Sequence, residues 1–287
     1  MENKNAWVKY PQGSKREEVF CFAEGYRNFI SECKTERECV SAFEEKAKAA
    51  GYQGVELALR SEKEYREEGI AEILKKTGME VSCISTGQVF ATDGLCFTHE
   101  DADIRKRTIE TFKGLINVAG GLGAMVNIGR ARGSISTSRS EEETEKLFCE
   151  GLYQLQPELE RCGVKIVIEP VNRYEINYLN NVDQVCALLD KLHSPCFGVM
   201  PDVFHMNIED DDICGSLRRN GEYVSYVHLA DSNRYYPGMG HLDFPAVAAA
   251  LREIDYKGWC TVEILPYPDP DTAAMKAAEY LLPIFGE

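Results

Sequence analysis

The sequence has no Lys/Arg-rich block, no CxxC pair, no apolar run of about 18 residues and only five histidines; the first three absences each remove a class of function. Nucleic-acid phosphates are bound by clustered cations. A formal net charge of −15 without such a cluster therefore argues against nucleic acid, and for a small molecule or another protein as partner. The eleven cysteines are odd in number and scattered through apolar segments such as VSCIS and WCTVEI. That suits thiols in a reducing cytoplasm better than a disulfide framework. With no membrane-length run, and a start (MENKNAWVKY) lacking a signal-peptide core, the sequence predicts a soluble cytoplasmic protein with no membrane partner.

What is present is a repeating rhythm. Seven short apolar runs (GVELALR, MEVSCIS, AMVNIG, VKIVIEPV, CFGVMPD, VSYVHLAD and WCTVEIL) are each followed by a longer charged stretch with helical character. Strands alternating with helices imply a parallel sheet. Glycines in KAAGYQGVEL, KKTGMEV, GGLGAMV, RCGVKIV and YKGWCTV mark helix ends running directly into strands. No GxGxxG follows the first of these runs, which favours a closed barrel over an open dinucleotide-binding sheet. No low-complexity linker interrupts the chain, and its 287 residues match one α/β barrel of roughly 250. The expectation is a single domain over residues 1–287, a (β/α)8 TIM barrel with its regular strands and helices in 51–287. The eighth strand must then come from residues 1–50. There KREEVFCFAEGYRNFISECKTERECVSAFEEKAKAAG reads as two helices around SECKTER, and only EVFCFA can supply a short first strand. The first strand is therefore either weak or replaced by helices.

Catalytic side chains of a TIM barrel project from the C-terminal ends of its strands. KIVIEP ends on Glu169, FGVMPD ends on Asp202, YVHLAD carries His228 and CTVEI carries Glu263, each about one βα unit after the last. A lone strand-end acid is more often a solvated or ion-paired group. Four such residues on successive strands, one of them inside an apolar run, call for a shared partner, because an unpaired buried charge is costly. Three carboxylates and one imidazole form a mostly hard donor set that suits one divalent ion, with Mn²⁺, Mg²⁺ and Co²⁺ the candidates. Glu175, His205 and Arg234 follow their strands at short offsets, where they could bind the hydroxyls and carbonyl of an open-chain sugar. Each has a plainer reading: Arg234 pairs with Asp231, or His205 caps a helix. Arg130, Arg132 and Arg173 are either recognition groups for a carboxylate or phosphate, or solvated rim charges.

The stretches EPVNRYE, DVFHMNIED and HLADSNRYYPGMGHLDF resemble the motifs of the xylose-isomerase-like sugar epimerases, the superfamily of D-tagatose 3-epimerase. STGQVFATDGLCFTHEDADIRKRTIE and GAMVNIGRARG are similar to segments of enzymes of the 5-keto-L-gluconate epimerase type. The resemblance runs from about residue 45 to the C-terminus. It implies a (β/α)8 barrel with one Mn²⁺-type ion held by Glu169, Asp202, His228 and Glu263. Glu169 and Glu263 would double as the catalytic acid/base pair, and Glu175, His205 and Arg234 would grip substrate oxygens. The implied reaction inverts the carbon next to the ketone of a ketose or keto-sugar acid through an enediolate, in a homo-oligomer. An aldose–ketose isomerase on the same barrel and a non-catalytic barrel subunit are the alternatives; a trinuclear endonuclease would need more histidines and a basic surface. Two departures stand out. The chain has MPDVFHMN where relatives show Asp-Thr-Phe-His-Met-Asn, so Pro201 and Val203 flank the metal-binding Asp, and a proline there is expected to shift Asp202 slightly. Within residues 1–50, YRNFISECKTERECV instead resembles the N-terminal helices of aspartyl-type zinc aminopeptidases, but none of that family's ligand pattern follows it.

Overall fold

The computed structural model describes residues 19–23, 46–67 and 69–286. Eight parallel strands form one sheet: β1 (Val19–Ala23), β2 (Gly54–Ala58), β3 (Glu80–Ser85), β4 (Met125–Ile128), β5 (Ile166–Ile168), β6 (Phe197–Val199), β7 (Val227–Leu229) and β8 (Trp259–Glu263). Their spatial order is β6-β5-β4-β3-β2-β1-β8-β7. The sheet closes between β6 and β7 through parallel bridges at Val199–Val224 and Asp202–His228. The Val199 N–H donates to the Tyr223 carbonyl at 2.9 Å, and the His228 N–H to the Pro201 carbonyl at 2.8 Å. Pro201 thus lacks a donor but keeps its acceptor in the seam.

The expected short strand in EVFCFA is present as β1, paired with β2 on one side and with β8 along its full length on the other. The barrel therefore begins well before residue 51. Of the two helices expected in residues 1–50, the first gives way at 19–23 to β1, the end of the second is helical at 46–49, and residues 24–45, which hold the aminopeptidase-like stretch, lie outside the described residues.

The helices are α1 (Glu62–Glu67), α2 (Ile70–Thr77), α3 (Gly87–Ala91), α4 (Ala102–Leu122), α5 (Glu141–Cys162), α6 (Val182–Leu192), α7 (Val203–Glu209), α8 (Ile213–Arg219), α9 (Phe244–Glu253) and α10 (Pro270–Phe285). Local chemistry sets their ends. α5 opens with a capping box, Ser140 accepting from the Glu143 N–H while Glu143 reaches back, and closes at Gly163 with φ 65°. α6 repeats the box with Asn181 and Gln184. YKGWCTV departs from the glycine pattern: α9 ends at Glu253, and Gly258 lies under Tyr256, whose hydroxyl oxygen is 2.4 Å from where a Cβ would stand. No described helix is long and apolar enough to cross a membrane.

Alternation along each strand divides two cores. Val55 and Leu57, Ile166 and Ile168, Val227 and Leu229, and Cys260 and Val262 face outward into the large cluster shared with the helices. Cys83, Val167, Met200 and Tyr226 face inward and form a small buried plug, flanked by Met125 and Trp259. Polar inward residues occur above and beside this plug, and they include the strand-end acids.

Candidate metal centre

Glu169 follows β5, Asp202 follows β6 and caps α7, His228 lies in β7 and Glu263 ends β8. Each of the four offers one ligand atom, and these atoms lie within 4.8 Å of one another. Ligands held about 2.1 Å from one small divalent ion lie no more than about 4.2 Å apart, so the four atoms need draw in only slightly to share one. Asp202 and His228 are fully buried and Glu169 is 6 % exposed, while Glu263 opens toward solvent. His228 Nδ1 sits 3.5 Å from a Glu169 oxygen and 3.6 Å from a Glu263 oxygen. Neither Asp202 Oδ2 nor His228 Nδ1 has a hydrogen-bond partner, although both are buried. Orphaned buried acceptors aimed into one space, with carboxylates around them, fit a cation. Pro201 does not take Asp202 out of the group.

The electrostatics agree. Burial, reinforced by Glu263, lifts the Glu169 carboxyl above its ordinary range against the pull of His228. Burial likewise pushes Asp202 up to about 7, despite the Arg234 guanidinium. Glu263 is also raised by desolvation, though its side chain reaches solvent, but Arg234 and His228 outweigh this and hold the group at about 2. His228 is lowered by burial and raised more strongly by Glu56 and Glu263, so the acids around it favour a positive charge at this point, which a cation on Nδ1 would supply in place of a proton. Crowded acids forced toward protonation mark a place where added positive charge is favourable.

The second layer converges on the same space. Arg234 Nη2 donates to Glu263 Oε2 at 2.9 Å and Nη1 to Glu175 Oε1 at 3.2 Å, with the guanidinium over the Phe204 ring. It does not pair with the Asp231 carboxylate. That group instead accepts the N–H groups of Ser232, Gly238 and Leu242, and so ties down the PGMG turn. His205 is not a cap. Its ring is buried in α7, with Nδ1 accepting from Asn172 at 2.8 Å and Nε2 at 3.6 Å from Asp202 Oδ2. Burial, with Arg234 nearby, pushes its pKa down to about 3, so at neutral pH the ring is uncharged and Nε2 carries the proton.

The three rim arginines separate. Arg132 is fully buried: Nε donates to the Tyr178 carbonyl, Nη1 to those of Gly129 and Glu169, and Nη2 to that of Leu179. It braces the backbone around Glu169 and is not available to a ligand. Arg173 is held by Glu209 on the surface. Arg130 lies 3.8 Å from Glu175 and 5.9 Å from the Phe90 ring centroid.

Several contributing residues carried no motif. Asn127 donates to Glu169 Oε2 at 3.3 Å while its oxygen accepts from the Thr86 N–H. Gly129 leaves room for Glu169, because a Cβ there would lie 2.9 Å from Oε2. Glu56, in β2, meets the outer nitrogen of His228 at 3.1 Å. Its sequence signal, an acid inside the apolar run GVELALR, is the one that singles out Glu263.

The chain is 30% identical over 221 residues to a ketose 3-epimerase of Arthrobacter globiformis, covering 75% of this chain and 73% of that one. It is 41% identical over 101 residues to an L-ribulose 3-epimerase of Methylomonas sp., and this match spans only 35% of either chain. The crystal structure of a Methylomonas D-allulose 3-epimerase in complex with D-allulose superposes with a TM-score of 0.80 at 22% identity, over 94% of this chain and 98% of that one, and so shows the same fold. A family profile matches residues 45–284, and the chain belongs to the xylose isomerase-like TIM barrel family.

Proposed function

We propose that the protein is a divalent-metal-dependent epimerase that inverts the carbon next to the ketone of a ketose or keto-sugar acid. The observation that carries this reading is the convergence of four potential ligand atoms with His205 and Arg234 at one end of the barrel. The names of the ketose 3-epimerase and L-ribulose 3-epimerase relatives point to the same reaction class. Glu169, Asp202, His228 and Glu263 would hold the ion, with Mn²⁺ favoured among hard divalent ions. When bound there, the ion would supply Lewis acidity to the reacting substrate.

The remaining work falls to the chain. Glu169 and Glu263 come from the ends of β5 and β8, the outermost of the four consecutive strands that furnish the site, a separation that supports their serving opposite faces of a substrate. One carboxylate removes the C–H proton to give an enediolate, and the other delivers a proton to the opposite face. Arg234, held between Glu175 and Glu263, and the Nε2–H of His205 donate to the developing oxyanion and neighbouring hydroxyls. Glu175 accepts from a substrate hydroxyl.

The test is a panel of ketoses, ketonates and their phosphates, incubated with Mn²⁺-loaded and chelator-stripped protein and read by NMR of the products. The proposal expects an epimeric ketose formed only with metal. An aldose product would favour the isomerase, and no turnover of any substrate by metal-loaded protein would favour a non-catalytic barrel.

A further inference from the structure

Beneath the four-residue centre lies a buried polar relay that the proposed chemistry does not use. Glu56 is 2 % exposed and comes from β2, across the barrel from β7. A single oxygen, Oε2, meets both the Tyr226 hydroxyl at 2.9 Å and His228 Nε2 at 3.1 Å. The Thr261 hydroxyl donates to the Tyr226 oxygen at 2.5 Å, and Ser82 Oγ lies 2.6 Å from it. Four strands, β2, β3, β7 and β8, thus meet in one chain of hydrogen bonds under the site.

The donor count fixes the direction of this chain. An ionised carboxylate only accepts, so Tyr226 must give its one proton to Glu56, and His228 must present an N–H at Nε2. An imidazole that ligates a cation is neutral and has one N–H. Its Nδ1 then keeps the lone pair, and Nδ1 is the buried atom without a hydrogen bond, facing Glu169 and Glu263. The Tyr226 ring packs edge-on to the imidazole at 5.6 Å between centroids, which hinders a ring flip.

We infer that Glu56 is a positioning residue that sets the tautomer, ring plane and donor strength of His228, and so tunes the metal affinity from below without touching the ion; this rests on the metal reading above. A carboxylate bonded to the outer nitrogen of a ligating histidine strengthens the nitrogen that binds, and losing such a partner typically weakens metal affinity about 10–100-fold. Glu56→Gln keeps the shape but removes the charge and the acceptor-only character. Its amide can donate to Nε2, which would move the imidazole proton to Nδ1.

The experiment titrates Mn²⁺ into full-length wild type, Glu56→Gln and Tyr226→Phe, following free Mn²⁺ by EPR. Long-range ¹H–¹⁵N NMR of the Mg²⁺-loaded proteins reports the His228 tautomer. Expected results are Mn²⁺ binding about 10–100-fold weaker in Glu56→Gln, a smaller loss in Tyr226→Phe, and an Nε2–H tautomer in wild type that is lost in Glu56→Gln. Tyr226→Phe keeps the test open if Glu56→Gln does not fold. Wild-type Mn²⁺ affinity and tautomer in a folded Glu56→Gln, or undiminished affinity in Tyr226→Phe where Glu56→Gln does not fold, would overturn the inference alone. Failure of wild type to bind Mn²⁺ would remove the metal reading and this inference with it.

Discussion

Replacing Arg132 with methionine should destabilise the protein without acting first on substrate recognition. The guanidinium is fully buried and donates to four backbone carbonyls, those of Gly129, Glu169, Tyr178 and Leu179. Gly129 retains a bond from the Arg132 N–H, so three carbonyls lose this donor. Stranding a buried acceptor costs about 1–3 kcal/mol. Relief from burying a charge offsets part of that, since burial already depresses the Arg132 pKa to about 10. A net loss of about 3–5 kcal/mol follows, which lowers Tm by about 6–20 °C for a chain of this size. Arg132→Lys should fall between, because one ammonium cannot span carbonyls from three segments as a planar fork does. The assay is thermal unfolding by circular dichroism. A Tm within about 2 °C of wild type, combined with a raised KM, would refute the bracing role and return Arg132 to the substrate.

Other consequences follow from the same geometry. Asp202→Ala and His228→Ala should each lose bound Mn²⁺ after dialysis, measured by elemental analysis; undiminished metal in both would rule out the four-ligand centre. Glu169→Gln and Glu263→Gln should each lower epimerisation by about 10²–10⁴-fold, with metal content measured alongside, and a variant of near-wild-type rate would remove that glutamate from proton transfer. Deleting residues 1–40 removes β1 and leaves β2 and β8 as open edges, so the product should aggregate. A monodisperse deletion variant with the wild-type Tm would show that β1 is dispensable.

Much of the barrel was legible because its strands are apolar on both faces and its acids fall at strand ends. KIVIEP, FGVMPD, YVHLAD and CTVEI each carry an inward polar residue where the apolar run stops, so their four residues could be aligned without coordinates. β1 was harder to read: five residues between charged stretches give little periodicity, and its identity as a strand depends on pairing with β2 and β8. The arginines of GRARG could not be sorted, since Arg132 is drawn inside by carbonyls at Tyr178 and Leu179, far along the chain. Glu56 went unread for a related reason. One acid in an apolar run announces burial but does not name its partners, and these are Tyr226 and His228, just before and on β7.

The central claim is that two glutamates exchange protons with a sugar on opposite faces. Its most direct test is turnover of an active ketose by the Mn²⁺-loaded protein in D₂O, with the product analysed by NMR at the inverted carbon. A proton taken by one carboxylate and replaced by another from the second must bring solvent deuterium to that carbon, and the account predicts product labelled there. Product with no deuterium at the inverted carbon would contradict it.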